Sequence, residues 1–222
     1  MAASTPGISR RQVLKALVAF AALLATGDTL ASRIDMALRP RNLHARLLNR
    51  DRHLRLERPA AGEIATFCYF RKGKGWDLKG YRQGCRILRD VKYKTTVKVN
   101  VKLLDLLFLI QAWLRINKLP TRILINSGYR TPRHNASLEG AARQSLHIRG
   151  MAADIRIPGV SIERLGKLVR AIGAGGVGFY PSKGFIHVDV GRVRTWRVAE
   201  LVEPGQEEWA LALLDQDEHS FS

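Results

Sequence analysis

Cysteine is scarce in this chain of 222 residues, with only Cys68 and Cys85 present. A framework of several disulfides is therefore excluded, and at most one bridge can form. The pair flanks a Gly/Lys-rich turn, Arg71-Lys72-Gly73-Lys74-Gly75-Trp76, between two runs expected as short strands, 65–70 and 85–91. On such a hairpin the thiols would either pair in an oxidising compartment or stay free and buried. Acidic residues are also few: 19 Asp and Glu against 37 Lys and Arg give a net charge of +18. Such a charge attracts polyanions such as nucleic acid, anionic lipid or an acidic wall polymer. The basic residues are dispersed and no nucleic-acid-binding module is recognisable, which argues against a nucleic-acid partner. Two readings remain: contact with anionic envelope surfaces, or a solvated basic exterior without a specific target. Long apolar runs are missing as well. The clearest, 16–25, is shorter than the roughly 20 residues that span a bilayer.

That apolar run follows Ser9-Arg10-Arg11-Gln12-Val13-Leu14-Lys15, a twin-arginine sequence, and leads to the small-residue pattern Thr29-Leu30-Ala31. A basic segment, a short apolar segment and a cleavage-like end read as an export signal over 1–31, directing the chain by the twin-arginine route to the periplasm, either cleaved or kept as a membrane tether. About 190 residues remain, enough for one domain with an adequate core. Their net charge is +16, because 1–31 carries Arg10, Arg11 and Lys15 against Asp28. Residues 32–58 are Arg-rich and weakly patterned, and are expected as a linker or an exposed helix, with a basic linker placed over 32–62. A domain is expected over 63–199, acting as a monomer. The last stretch, 200–222, has seven acidic residues and no Lys or Arg, and reads as an acidic tail.

Within the domain, Asn100 is placed to cap a helix carrying Leu103, Leu104, Leu107, Ile110 and Leu114 on one face, ended before Pro120. Residues 122–126 read as a buried strand, followed by the turn Ser127-Gly128-Tyr129-Arg130-Thr131-Pro132. A strand is expected over 154–157. Ser161 opens a helix with Ile162, Leu165, Leu168, Val169 and Ile172 inward, and a last strand runs over 185–190.

The chemistry gathers around these elements. Histidines number 6, and two of them, His147 and His187, fall in Gly-rich settings near strand ends together with Asp154. Two imidazoles and one carboxylate suit a catalytic zinc, with a fourth position left for water. With that set complete, the cysteines are not needed as ligands. Strand parity points Phe185, His187 and Asp189 to one face and the apolar Ile186, Val188 and Val190 to the core. Asp189 then lies beside His187, as a base or as the group that orients its ring. The turn at Gly150 lets His147 fold back towards Asp154.

Ser127-Gly128-Tyr129-Arg130-Thr131-Pro132, Asn135, Ser145-x-His147-x-x-Gly150-x-Ala152-x-Asp154, Gly178-Phe179-Tyr180-Pro181 and Phe185-Ile186-His187-Val188-Asp189-Val190-Gly191-Arg192-Val193-Arg194-x-Trp196 resemble the murein endopeptidase K family. That family sits in the wider group of zinc peptidases containing lysostaphin, D-alanyl-D-alanine metallopeptidases and Sonic hedgehog. The resemblance runs from about Cys68 to Trp196. It implies an α+β fold, with a small antiparallel sheet carrying the metal and helices on its outer face. It also implies one zinc ion held by His147, Asp154 and His187, and peptidoglycan crosslinks, D,D or L,D, as substrate. Arg130 matches an arginine that relatives set against a substrate carbonyl or carboxylate; an ion pair steadying the turn is its plainer reading. Ser145 and Asn135 are expected to fix loops around the metal.

The family pattern departs here in one place. Where several relatives have an acidic residue three positions before the last histidine, this chain has Gly184, and where others have a histidine two before it, this chain has Phe185. Asp189 is the expected substitute, with His134 or weakly assisted zinc chemistry as alternatives. Two other functions stay open on the sequence: a D,D-carboxypeptidase, and a non-catalytic zinc-dependent wall-binding module.

Overall fold

Leu54 and Leu56 alternate with charged residues in Arg52-His53-Leu54-Arg55-Leu56-Glu57-Arg58, and that period of two builds a strand, β1 (Arg52–Arg58), with both leucines wholly buried. The computed structural model describes residues 41–198. The twin-arginine segment, its expected cleavage point and the tail 200–222 lie outside the described residues. β1 lies inside the sheet, antiparallel to β2 (Glu63–Arg71) and parallel to β4 (Ile123–Ser127). The expectation of a linker over 32–62 is thus corrected for residues 52–58: two apolar residues are enough here, with Arg52 paired to Asp105 and Glu57 to arginines. Glu57, buried in the sheet, is held by Arg122 at 2.6 Å and Arg55 at 3.3 Å.

A helix, α1 (Arg41–Leu48), precedes β1, and a two-residue strand, β3 (Gly75–Trp76), follows β2. The next element corrects the sequence reading again. Residues 85–91 do not form a strand, because Asp77 caps a helix, α2 (Leu78–Ile87), by accepting a hydrogen bond from the Gly80 amide at 3.0 Å. Cys85 therefore sits on a helix and Cys68 on β2, and both thiols are free and buried. The expected helix after Asn100 is present as α3 (Val101–Ile116), with the Asn100 side chain accepting from the Lys102 amide. A single-turn helix, α4 (Pro132–Ala136), leaves the turn after β4; β5 is Ala152–Arg156, α5 Ile162–Ile172, β6 Gly176–Tyr180, β7 Phe185–Asp189 and β8 Arg194–Arg197. Among the described residues, no helix is long and apolar enough to cross a membrane.

The fold is α+β, as expected, with helices packed on an eight-stranded sheet in the order β3-β2-β1-β4-β5-β7-β6-β8. The sheet is wider than the small antiparallel one anticipated, and the β1–β4 and β6–β8 pairs run parallel. Leu54, Leu56, Ile123, Ile125, Ala153, Ile155, Ile186 and Val188 turn to one face and share a core with residues of α2, α3 and α5. Alternation then sends Asp154, His187 and Asp189 to the opposite face, away from that core. These three side chains stand near the middle of the sheet, on β5 and β7.

Candidate metal centre

Asp154 and His187 are register partners on adjacent antiparallel strands, so the backbone ladder alone brings their side chains together. His147 comes from a separate 3₁₀ turn, Leu146–Arg149, which Ser145 opens by accepting the His147 amide hydrogen. Gly150 ends the turn with φ +61°, and the Met151 amide closes back onto the Leu146 carbonyl. A side chain there would meet the Val99 backbone at 3.2 Å in an unfavourable conformation, so glycine is what folds His147 over the sheet. Asn135 ties the preceding loop through its amide to the Ala142 carbonyl at 2.9 Å.

His147 Nε2, His187 Nδ1 and Asp154 Oδ1 form a nearly equilateral triangle with edges of 3.1, 3.1 and 3.2 Å. All three residues are buried. Tetrahedral zinc with ligand bonds of about 2.0–2.1 Å needs edges of roughly 3.3 Å, so the donor atoms are already close to that spacing. The outer nitrogens set the tautomers. His147 Nδ1 lies 2.6 Å from the Gly128 carbonyl, which can only accept, so Nδ1 carries the proton and Nε2 turns a lone pair inward. His187 Nε2 donates in the same manner to Asp189 Oδ2 at 3.1 Å. Two imidazole lone pairs and a carboxylate oxygen converge, and this donor set fits a single divalent cation.

The titrations of the three residues follow their surroundings. Burial pushes the His147 pKa down. Burial would raise the Asp154 carboxyl, but His147 and His187 outweigh it and hold that group far below the usual carboxylate range. Burial would lower His187, and the hydrogen bonds to Asp154 and Asp189 reverse this and raise it.

Arg130 is anchored rather than loose. Its Nη2 pairs with Asp154 Oδ2, and its Nε donates to Ser127 Oγ at 2.8 Å. The ion pair is therefore made to the Asp154 carboxylate, not within the turn. Asp189 is wholly enclosed, and it also accepts from the Gly176 and Gly191 amides at 3.0 and 2.8 Å and from Arg194 Nη2 at 2.8 Å. It lies behind His187 and is not on the cleft wall, a position that suits orienting the ring and not taking a proton from water. Asp189→Asn should keep the fold yet lower metal affinity about 10–100-fold, measured by competition with a chelating dye. Unchanged affinity would remove the orienting role. His134, on the cleft wall, is fixed by its Nδ1 at 3.0 Å from both Asp90 oxygens. No local pattern marks this pairing, which spans 44 positions.

The triad opens onto a cleft of about 910 Å³. Trp196 forms part of its wall, with its ring centroid 5.1 Å from that of His187 and its Nε1 donating to the Tyr180 hydroxyl at 3.3 Å. Gly178 stands between His187 and Trp196 in the sheet register, and a Cβ there would lie 2.4 Å from the indole. Glycine lets the indole cross β6 to reach His187. Gly178→Ala should displace Trp196 and reduce kcat/KM roughly tenfold or more, with metal still bound. Tryptophan fluorescence that does not move in the variant would contradict this.

Residues 47–196 match the family described as peptidoglycan L,D-endopeptidase MepK. The chain belongs to that family. It is 33% identical over 132 residues to the probable peptidoglycan L,D-endopeptidase MepK of Haemophilus influenzae, covering 58% of this chain and 70% of that protein. The peptidoglycan L,D-endopeptidase MepK of Escherichia coli K12 is 31% identical over 151 residues, covering 66% of this chain and 81% of that protein. No solved structure matches the chain.

Proposed function

We propose that this chain is a zinc-dependent peptidase that hydrolyses peptide crosslinks of peptidoglycan, after export to the periplasm. The observation that carries the reading is the triangle of His147 Nε2, Asp154 Oδ1 and His187 Nδ1, whose lone pairs are aimed inward by Gly128 and Asp189. His147, Asp154 and His187 would hold one zinc ion, which would supply a Lewis acid able to lower the pKa of a bound water to about 7 and to polarise a carbonyl. The protein's part is to hold the ligands rigid and to shape the approach. Asp189 fixes the His187 ring, and Arg130, beside Asp154 on the cleft wall, donates to the carbonyl oxygen as negative charge develops on it. Tyr180, stacked on Phe185 at 4.7 Å, and Trp196 form an aromatic wall for the peptide.

The names of the relatives favour the L,D bond over the D,D bond and favour an endopeptidase over a carboxypeptidase or a non-catalytic wall-binding module. Mass spectrometry of purified muropeptide dimers of each linkage, incubated with the protein and zinc, tests this. L,D-linked dimers should become monomers. Loss of terminal alanine alone would turn the reading to a carboxypeptidase, and intact dimers with metal bound would turn it to the binding module.

A further inference from the structure

Arg58 ends β1 on the cleft wall, yet only 5% of its surface is exposed. Its Nε and Nη1 are buried without any hydrogen-bond partner. A buried cation is ordinarily paired, because removing it from water costs several kcal/mol. The acids around it are committed elsewhere. Glu57 is taken by Arg122 and Arg55, and Glu63 binds Arg89 through both oxygens at 2.6 and 2.9 Å. Asp90 accepts from the Thr131 amide and hydroxyl, the Tyr93 amide and His134. Asp154 is held by Arg130 and the two ligand histidines. Burial pushes the Arg58 pKa down to about 10, which still leaves the group charged at neutral pH. A positive guanidinium thus lines the same cleft as the His147–Asp154–His187 cluster, with Nε and Nη1 enclosed just behind its surface and unpaired.

We infer that Arg58 is a substrate-recognition residue, binding a free carboxylate of the peptide whose bond is presented to the His147–Asp154–His187 centre. The inference rests on the peptidase reading and deepens it. A planar guanidinium matches a carboxylate through two parallel hydrogen bonds, and in a buried site a charge-assisted pair of this kind discriminates strongly against the neutral amide. The residue thus trades fold stability for selectivity: the metal and Arg130 act on the scissile carbonyl, while Arg58 reads an acid elsewhere on the same peptide.

The test compares the zinc-loaded wild type with Arg58→Gln and Arg58→Lys on two crosslinked dimers, one with free carboxylates and one amidated at them. The wild type should prefer the acid, and the acid-over-amide ratio of kcat/KM should fall at least tenfold in Arg58→Gln, chiefly through KM. Arg58→Lys should recover part of the preference. Arg58→Gln should melt at or above the wild-type temperature, since it removes an unpaired buried charge. A ratio unchanged by either substitution, or a wild type indifferent to amidation, would overturn the inference. Should the wild type cut neither dimer, the peptidase reading fails, and binding then decides for Arg58 alone. The Arg58 Nε–H resonance should shift when an acetylated dipeptide with a free carboxylate is titrated in and stay still with its amide. The same response to both would overturn it.

Discussion

His147→Ala is expected to abolish tight metal binding and to lower crosslink cleavage on the order of a thousandfold or more, with the fold retained. The loss follows from geometry: the variant deletes one vertex of a triangle with edges of 3.1–3.2 Å, and two ligands from β5 and β7 cannot hold the ion alone. The fold should survive because His147 lies on a turn above the sheet, while the core is on the opposite face. Circular dichroism should therefore match the wild type, and added zinc should no longer raise the melting temperature. Cleavage retained in His147→Ala would sink the metal reading.

Arg130→Ala should reduce kcat about 10²–10³-fold, the usual cost of removing a donor aimed at developing oxyanion charge. Two roles compete at this residue, since its guanidinium also steadies the outer oxygen of Asp154. They separate by measurement. A donor to the reacting carbonyl predicts a low kcat that persists at saturating zinc, whereas a residue that only braces Asp154 predicts weak zinc affinity and activity restored by excess metal. Arg130→Lys should rescue little. An ammonium keeps the charge but cannot reach Ser127 Oγ and Asp154 Oδ2 together as the planar fork does. A kcat within about twofold of the wild type in Arg130→Ala, with metal bound, would leave the arginine a bracing role only.

Local signals carried much of this architecture. The helices after Asn100 and Ser161 announce themselves through a capping side chain followed by apolar residues at helical spacing, and both form with those caps in place. The parity of β7 separates Ile186 and Val188 from His187 and Asp189, and the sheet buries the first pair in the core and turns the second towards the centre. What escaped the sequence is what depends on distant partners. β1 has only Leu54 and Leu56 to mark it, and its burial is possible because Arg122, 65 positions away, neutralises Glu57. α2 is signalled by Asp77 and by the spacing of Tyr81 and Cys85, but its two glycines and many charges mask a helix whose glycines instead permit close packing on β2. Arg58 and His134, the latter held by Asp90, reach the cleft only through tertiary contacts, so no local pattern marks them. Asp189 could be placed beside His187 by parity, but which ring nitrogen it holds, and hence which side of the imidazole it occupies, needed the three-dimensional register.

The most direct test of the account is to strip the full-length protein of metal, confirm the loss by elemental analysis, and follow cleavage of L,D-linked dimers as zinc is returned. The account predicts no cleavage without metal, recovery that rises linearly and ends at one zinc per chain, and no recovery in His147→Ala. Cleavage that persists in metal-free protein, or that returns without zinc entering this centre, would contradict it.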